Sequence, residues 1–151
     1  MINSMISMNP KIRVTVSPEF KDIYKGLKTS ASIEEYHELF FLCVCLGCKT
    51  NRVKPLSKKE ALFWSNTIKP VEWCSYYSIF LHKNNMKFED LGNDEEVIFL
   101  MQEYANGGME FLIEDFLHDY IKKNSSGQYI VENTDEISKQ LLAAVILDWG
   151  K

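Results

Sequence analysis

The chain has 151 residues, 46% of them hydrophobic and 25% charged, and a formal net charge of -4 at pH 7. That length holds one domain with a real core, and the balance of apolar and charged residues excludes a low-complexity or disordered chain. The longest uncharged apolar run, Leu39 to Leu46, is far short of the roughly 18 residues that cross a bilayer, so no membrane span and no membrane partner are expected.

Residues 1–10 contain Met and Ile but no basic n-region, sustained apolar stretch or small-residue cleavage site. They are expected to be a flexible tail on a cytoplasmic protein. Residues 11–151 are expected to form a single globular domain of mainly α class, an N-terminal strand followed by about five helices. Charge divides that domain. Residues 1–59 carry ten Lys and Arg against five Asp and Glu, whereas residues 60–151 carry seven against sixteen. A basic part over 11–59 and an acidic part over 60–151 face different partners, or each other.

Lys11-Ile12-Arg13-Val14-Thr15-Val16 alternates, which sends Ile12, Val14 and Val16 to one face of a strand and Lys11, Arg13 and Thr15 to the other. Ser17 is a good N-cap and Pro18 suits the first helical position. Phe20, Ile23, Tyr24 and Leu27 then fall at i, i+3, i+4 and i+7, one apolar stripe. After a turn over Lys28 to Ala31, Ser32-Ile33-Glu34-Glu35 has capping-box spacing. The helix that follows is apolar nearly all round from Tyr36 to Leu46, as a central core helix or a dimer interface must be. Strand, helix, helix with a basic outward strand face resembles a ribbon-helix-helix unit, a homodimer whose two strands pair and enter the major groove of double-stranded DNA. Arg13, flanked by Lys11 and Thr15, would then read base edges. An edge strand with a solvated polar face accounts for the same alternation.

His37 lies on the first, more polar turn of the core helix and is expected to be a partly exposed structural residue. Cys43, Cys45 and Cys48 stand at i, i+2 and i+5 of one helix and do not converge on a metal. With Cys74 they are expected to be reduced and buried, and no metal or other cofactor is expected. Gly47 suits a helix C-cap. The chain then becomes basic, and Lys49, Arg52, Lys54, Lys58 and Lys59 make a candidate phosphate-contact surface.

Ser57-Lys58-Lys59-Glu60 has capping-box spacing and predicts a short helix over 60–66. Pro70 opens an amphipathic helix to about Lys83 with Trp73, Tyr76, Tyr77 and Phe80 as its core stripe. Asn93-Asp94-Glu95-Glu96 opens a long helix to about Lys123, interrupted at Gly107-Gly108 by a kink, a break or a close backbone approach. Glu103, Glu110 and Glu114 on this helix are candidate partner-surface residues. Glu114 and His118, four apart, are read as a solvated ion pair rather than two metal ligands. Asn124 to Gly127 is a turn, Tyr129 to Val131 a short strand, and Thr134-Asp135-Glu136 opens a last helix that buries Ile137, Leu141, Leu142, Val145 and Trp149.

Two stretches resemble the small accessory proteins found beside bacterial DNA phosphorothioation (Dnd) systems. One is Glu103-Tyr104-Ala105-Asn106-Gly107-Gly108-Met109-Glu110-Phe111-Leu112. The other runs from Tyr36 through Leu46-Gly47 and Arg52 to Pro55-Leu56 and ends near Trp64, with Cys48 and Val53 departing from the pattern. The resemblance implies a setting in which modified DNA is made, sensed or restricted, and it carries over no catalytic residues. The expected function is therefore that of a non-enzymatic accessory or DNA-binding protein of DNA modification or phage defence. The alternative is an acidic helical interaction module, an adaptor or inhibitor that touches no DNA. An enzyme is not expected, since no paired carboxylates, Cys/His pair or metal set stands at suitable spacing.

Overall fold

A computed structural model describes residues 12–29, 33–85, 87–132 and 135–149. Lys11 lies outside them. The fold is mainly α, with elements β1 (Arg13–Val16), α1 (Pro18–Thr29), α2 (Tyr36–Thr50), β2 (Glu60–Trp64), α3 (Pro70–Lys83), α4 (Asp94–Leu112), β3 (Ile121–Lys123), β4 (Tyr129–Val131) and α5 (Glu136–Trp149). Among the described residues, no helix is long and apolar enough to cross a membrane.

Strand β1 keeps its alternation: Val14 and Val16 are fully buried while Arg13 is exposed. Its partner lies in the same chain. β2 pairs with it antiparallel, Arg13 opposite Trp64 and Val16 opposite Glu60. The helix expected over 60–66 is thus a strand followed by a 3-10 turn, Ser65–Thr67. Capping spacing at Ser57 to Glu60 could not outweigh the need of the β1 backbone for hydrogen-bond partners. Register slips between Val14 and Thr15, leaving Leu62 as the extra residue of a bulge. The bulge lets consecutive residues Leu62 and Phe63 both face the core.

Helix α1 buries the stripe Phe20, Ile23, Tyr24 and Leu27 as its spacing requires. Helix α2 begins at Tyr36, where the Glu38 carboxylate accepts the Glu35 N–H at 3.1 Å. Its apolar run supplies the centre of the core: Leu39, Phe40, Cys43, Val44 and Leu46 are all fully buried. Phe40 sits edge-on to Phe63 of β2 and Tyr76 of α3. The helix passes through Gly47 to Thr50 and is capped instead by Asn51 in the left-handed region, φ 56°, with the Arg52 N–H donating to the Gly47 carbonyl at 2.8 Å.

Gly47 is a crossing point, not a cap. A Cβ placed on it would clash with the carbonyl oxygen of Tyr104 on α4, and one placed on Gly108 would overlap the carbonyl oxygen of Cys43 and lie 2.6 Å from its carbon. Gly47 and Gly108 let the α2 and α4 backbones touch, and α4 runs unbroken through Gly107-Gly108. Next to the crossing, Asn106 donates its side-chain amide to the Ser17 hydroxyl at 2.6 Å, and both groups are buried. Much of the Tyr104 to Met109 motif therefore packs α4 against α2 and β1.

The long helix is shorter than its pattern predicts. α4 ends at Leu112, relaxes through a π turn (Ile113–Leu117), and the chain then forms the β3–β4 hairpin. Lys122 and Lys123 are strand residues rather than the end of a helix. Asn124 Oδ1 collects the backbone N–H groups of Ser126 and Gln128, and Gly127 takes φ 84°, which makes the tight turn that stops helix continuation. In α5, Ile137, Leu141 and Ala144 are buried, whereas Leu142, expected inside, is 60% exposed and Val145 half-buried. The i, i+4, i+7 face is narrower than the sequence suggested because only one side of α5 is covered.

Candidate functional site

The basic segment after α2 lies across α4 and its π turn. Asn51 turns the chain back, and the Lys54 N–H donates to the Glu103 carbonyl at 3.1 Å, holding the segment along α4. Glu110 and Glu114, four residues apart, present their carboxylates on one face. Arg52 Nη1 lies 2.8 Å from Glu114 Oε2 and 3.7 Å from Glu110 Oε1, and Lys54 Nζ lies 2.9 Å from Glu110 Oε2. Each cation also sits over a ring: the Arg52 guanidinium is 5.3 Å from the Phe111 centroid and Lys54 Nζ is 5.2 Å from that of Phe20. The hydrogen bond that Arg52 donates to Glu114 raises the Arg52 pKa, and the bond that Lys54 donates to Glu110 raises that of Lys54. Two predicted phosphate contacts and two predicted partner-surface acids are thus each other's partners. The basic and acidic parts of the chain meet here. A cleft of about 280 Å³ opens beside the cluster, lined by Phe20, Lys54, Glu110, Glu114, Lys123 and Tyr129.

The other phosphate candidates are dispersed. Lys58 is exposed beside Pro18, Glu19 and Asp22. Lys59 is exposed with Nζ 5.2 Å over the Phe99 ring, and Lys49 is half-buried at the α2–α3 groove. Of the base-reading candidates, Arg13 faces outward with its guanidinium 4.4 Å over Trp64, itself 45% exposed. Thr15 turns inward: its N–H donates to Gln102 Oε1 at 2.8 Å, and its buried hydroxyl has no hydrogen-bond partner among the described residues. Ile12 bonds to Ser65 on the β2 side, so Thr15 N–H points along the opposite edge. A second copy pairing with β1 there would have to displace Gln102.

His37 is buried rather than partly exposed. Its Nδ1 sits 3.0 and 3.2 Å from the two carboxylate oxygens of Glu72, at the start of α3, and Glu72 Oε1 also accepts the Lys69 N–H at 3.0 Å. The pair ties the N-termini of α2 and α3 together. Glu114 is engaged by Arg52, while His118 Nε2 lies 3.3 Å from Asp119, so no Glu114–His118 pair forms. Among the described residues, no group of three His, Cys, Asp or Glu side chains could hold a metal.

No disulfide joins the four cysteines, and only Cys43 is buried; Cys45 is half-buried and Cys48 and Cys74 are exposed. Cys45-Leu46-Gly47-Cys48 is also a Cys-x2-Cys spacing, a signal passed over when Cys43, Cys45 and Cys48 are weighed as a metal set. With Cys74 of α3, Cys45 and Cys48 line a groove of about 720 Å³. Burial pushes the Cys43 thiol up to about 12, against the smaller opposing influence of the neighbouring Tyr24 hydroxyl. In the native protein at pH 8, iodoacetamide is expected to modify Cys48 and Cys74 readily and Cys43 only after unfolding. Peptide mass mapping before and after denaturation reads this directly.

Comparison with protein-family models, curated proteins and solved structures finds no match to this chain.

Proposed function

We propose that the chain is a non-enzymatic accessory protein that works through protein contacts in the cytoplasm, in the DNA-modification or phage-defence setting implied by its resemblance to Dnd-associated proteins. The observation that carries this reading is the ionic cluster. Arg52 and Lys54 are already answered by Glu114 and Glu110. A duplex would have to break those pairs to gain their charge and would meet two carboxylates at the same place. Phosphate affinity grows with the number of cations that can release counterions, and here the best-placed cations are committed.

Binding of a fluorescent duplex, measured at low and at physiological salt, tests it. The unaltered chain is expected to show no salt-sensitive binding at physiological salt. A Glu110→Gln/Glu114→Gln variant should gain weak, salt-sensitive affinity, of the order of the 10⁻⁴–10⁻⁶ M of non-specific binding. Steep salt-dependent binding by the unaltered chain would overturn the reading. Its positive arm is co-purification of a defence-system subunit from nuclease-treated extract of the host.

A second reading keeps double-stranded DNA as the partner, and the outward Arg13 stacked on Trp64 favours it. Lys58 and Lys59 would hold phosphates, and a homodimer would have to form away from the β1 edge that Gln102 occupies. Under that reading Arg13→Ala costs about 1–3 kcal/mol of binding and relaxes preference at one base position.

A further inference from the structure

Helix α3 has a second stripe besides its buried one. Val71, Cys74, Ser75, Ser78, Ile79 and His82 recur at i, i+3, i+4, i+7, i+8 and i+11, and all line open space facing α2. The 720 Å³ groove that they share with Cys45, Cys48 and Lys49 continues through Cys48, Ser78 and Ile79 into a hollow of about 490 Å³ that reaches Asn51, His82, Lys83 and Tyr104. From Val71 to Lys83 the channel runs about 18 Å at helical rise, the length of a little over three helical turns. Val71 at its head is 70% exposed.

Three features define what fits. The walls are mostly small or apolar side chains, Cys and Ser with Val71 and Ile79, which let a helix backbone come within the 8–10 Å or so of ordinary helix packing. The groove is open along its length, unlike the enclosed sites that bury roughly 70–90% of a small ligand. Its polar margin is one-signed: Lys49 and Lys83 line it, and among the described residues no acid does, although the whole chain has a net charge of -4.

We propose that the α2–α3 groove docks an amphipathic α-helix of a partner protein, with its apolar stripe on Val71, Cys74 and Ile79 and its acidic flank along Lys49 and Lys83. A third helix there would cover the second stripe of α3 and complete a three-helix layer with α2. The proposal rests on the reading that the protein works through protein contacts, and it names the surface and the chemistry of the contact.

The thiols in the groove are built-in reporters. The probe is a synthetic, end-capped helix of about four turns, with leucines at i, i+4, i+7 and i+11 flanked by glutamates. Lysine-flanked and proline-interrupted versions serve as controls. On the unaltered full chain, the acidic helix is expected to slow iodoacetamide modification of Cys48 and Cys74 by about tenfold or more, and the controls to leave it unchanged. Ser78→Trp, which fills the groove, and Lys83→Glu, which reverses its margin, should each weaken binding of the acidic helix about tenfold. The protection experiment needs no variant, so a misfolded Ser78→Trp protein does not decide the outcome.

Equal protection by the lysine-flanked helix, undiminished affinity in a folded Ser78→Trp protein, or no protection at saturation would overturn the proposal. So would thiols that become protected as the chain's own concentration rises in sedimentation runs, since the occupant would then be a second copy. If the thiols stay reactive in a complex retained from nuclease-treated extract, the groove assignment fails while the accessory reading stands. Salt-sensitive duplex binding is the separate result that counts against that reading.

Discussion

Alanine at Gly108 is expected to destabilise the protein by about 3 kcal/mol or more, at or beyond the upper end of ordinary overpacking. The added methyl would meet a carbonyl oxygen, not the end of a side chain, because the Cys43 backbone of α2 occupies the space. No rotamer change relieves the clash, so the α2 and α4 axes must separate. Separation would also loosen the Gly47 contact with Tyr104 and pull on the buried Asn106–Ser17 bond. For a chain of this size the loss is a fall in Tm of roughly 6–12 °C. Gly92, where a Cβ meets nothing within 4 Å, is the control: Gly92→Ala should change stability by no more than about 0.5 kcal/mol. Thermal melts of the two variants, with the same Tm for both, would refute the backbone contact.

The second large effect belongs to the buried pair between α2 and α3. Replacing His37 by leucine keeps the volume but leaves the Glu72 carboxylate buried with only the Lys69 N–H. Stripping one partner from a buried charged group costs about 3 kcal/mol. The companion His37→Leu/Glu72→Leu variant removes the orphaned charge as well. It should regain most of that loss, falling short of the parent by about 1 kcal/mol for the helix-start bond lost at Lys69. Denaturant titration of the four proteins gives the coupling energy, expected to be about 3 kcal/mol or more, because Glu72→Leu alone also loses the Lys69 bond. Additive losses would mean that the two side chains do not depend on one another.

Local signals in the sequence read well where one short stretch sufficed. Ser17-Pro18 and the stripe from Phe20 to Leu27 fixed α1, and Pro70 with its aromatic spacing fixed α3 at both ends. What was not legible depended on distant partners. The β1 alternation was plain, but nothing near it pointed to β2 some fifty residues later, and the capping spacing at Ser57 argued for the wrong element. Arg52 and Lys54 looked like phosphate ligands, and Glu110 and Glu114 like a partner surface, because their pairing spans 56 to 62 residues. His37 looked solvated because its turn is polar, while Glu72 is 35 residues away. Glycines gave half an answer: a close approach was among the options for Gly107-Gly108, but the approaching backbone could not be named from sequence.

Strand β1 has one further consequence, for the order in which the chain acquires its shape. Its backbone is closed on one edge by residues 60–65 and on the other by Gln102, and the cap at its end is completed by Asn106. Such long-range contacts carry a loop-closure cost before they return any stability, and they slow folding. On a ribosome adding about 5–20 residues each second, residues 13–16 wait roughly 5–18 s for the α4 segment that completes their surroundings. During that interval β2 and the Pro70–Lys83 helix are already available, but β1 and the apolar run of α2 still lack the α4 face that completes their cover. The first third of this protein is therefore a nascent chain whose cover is completed only by residues of the last third.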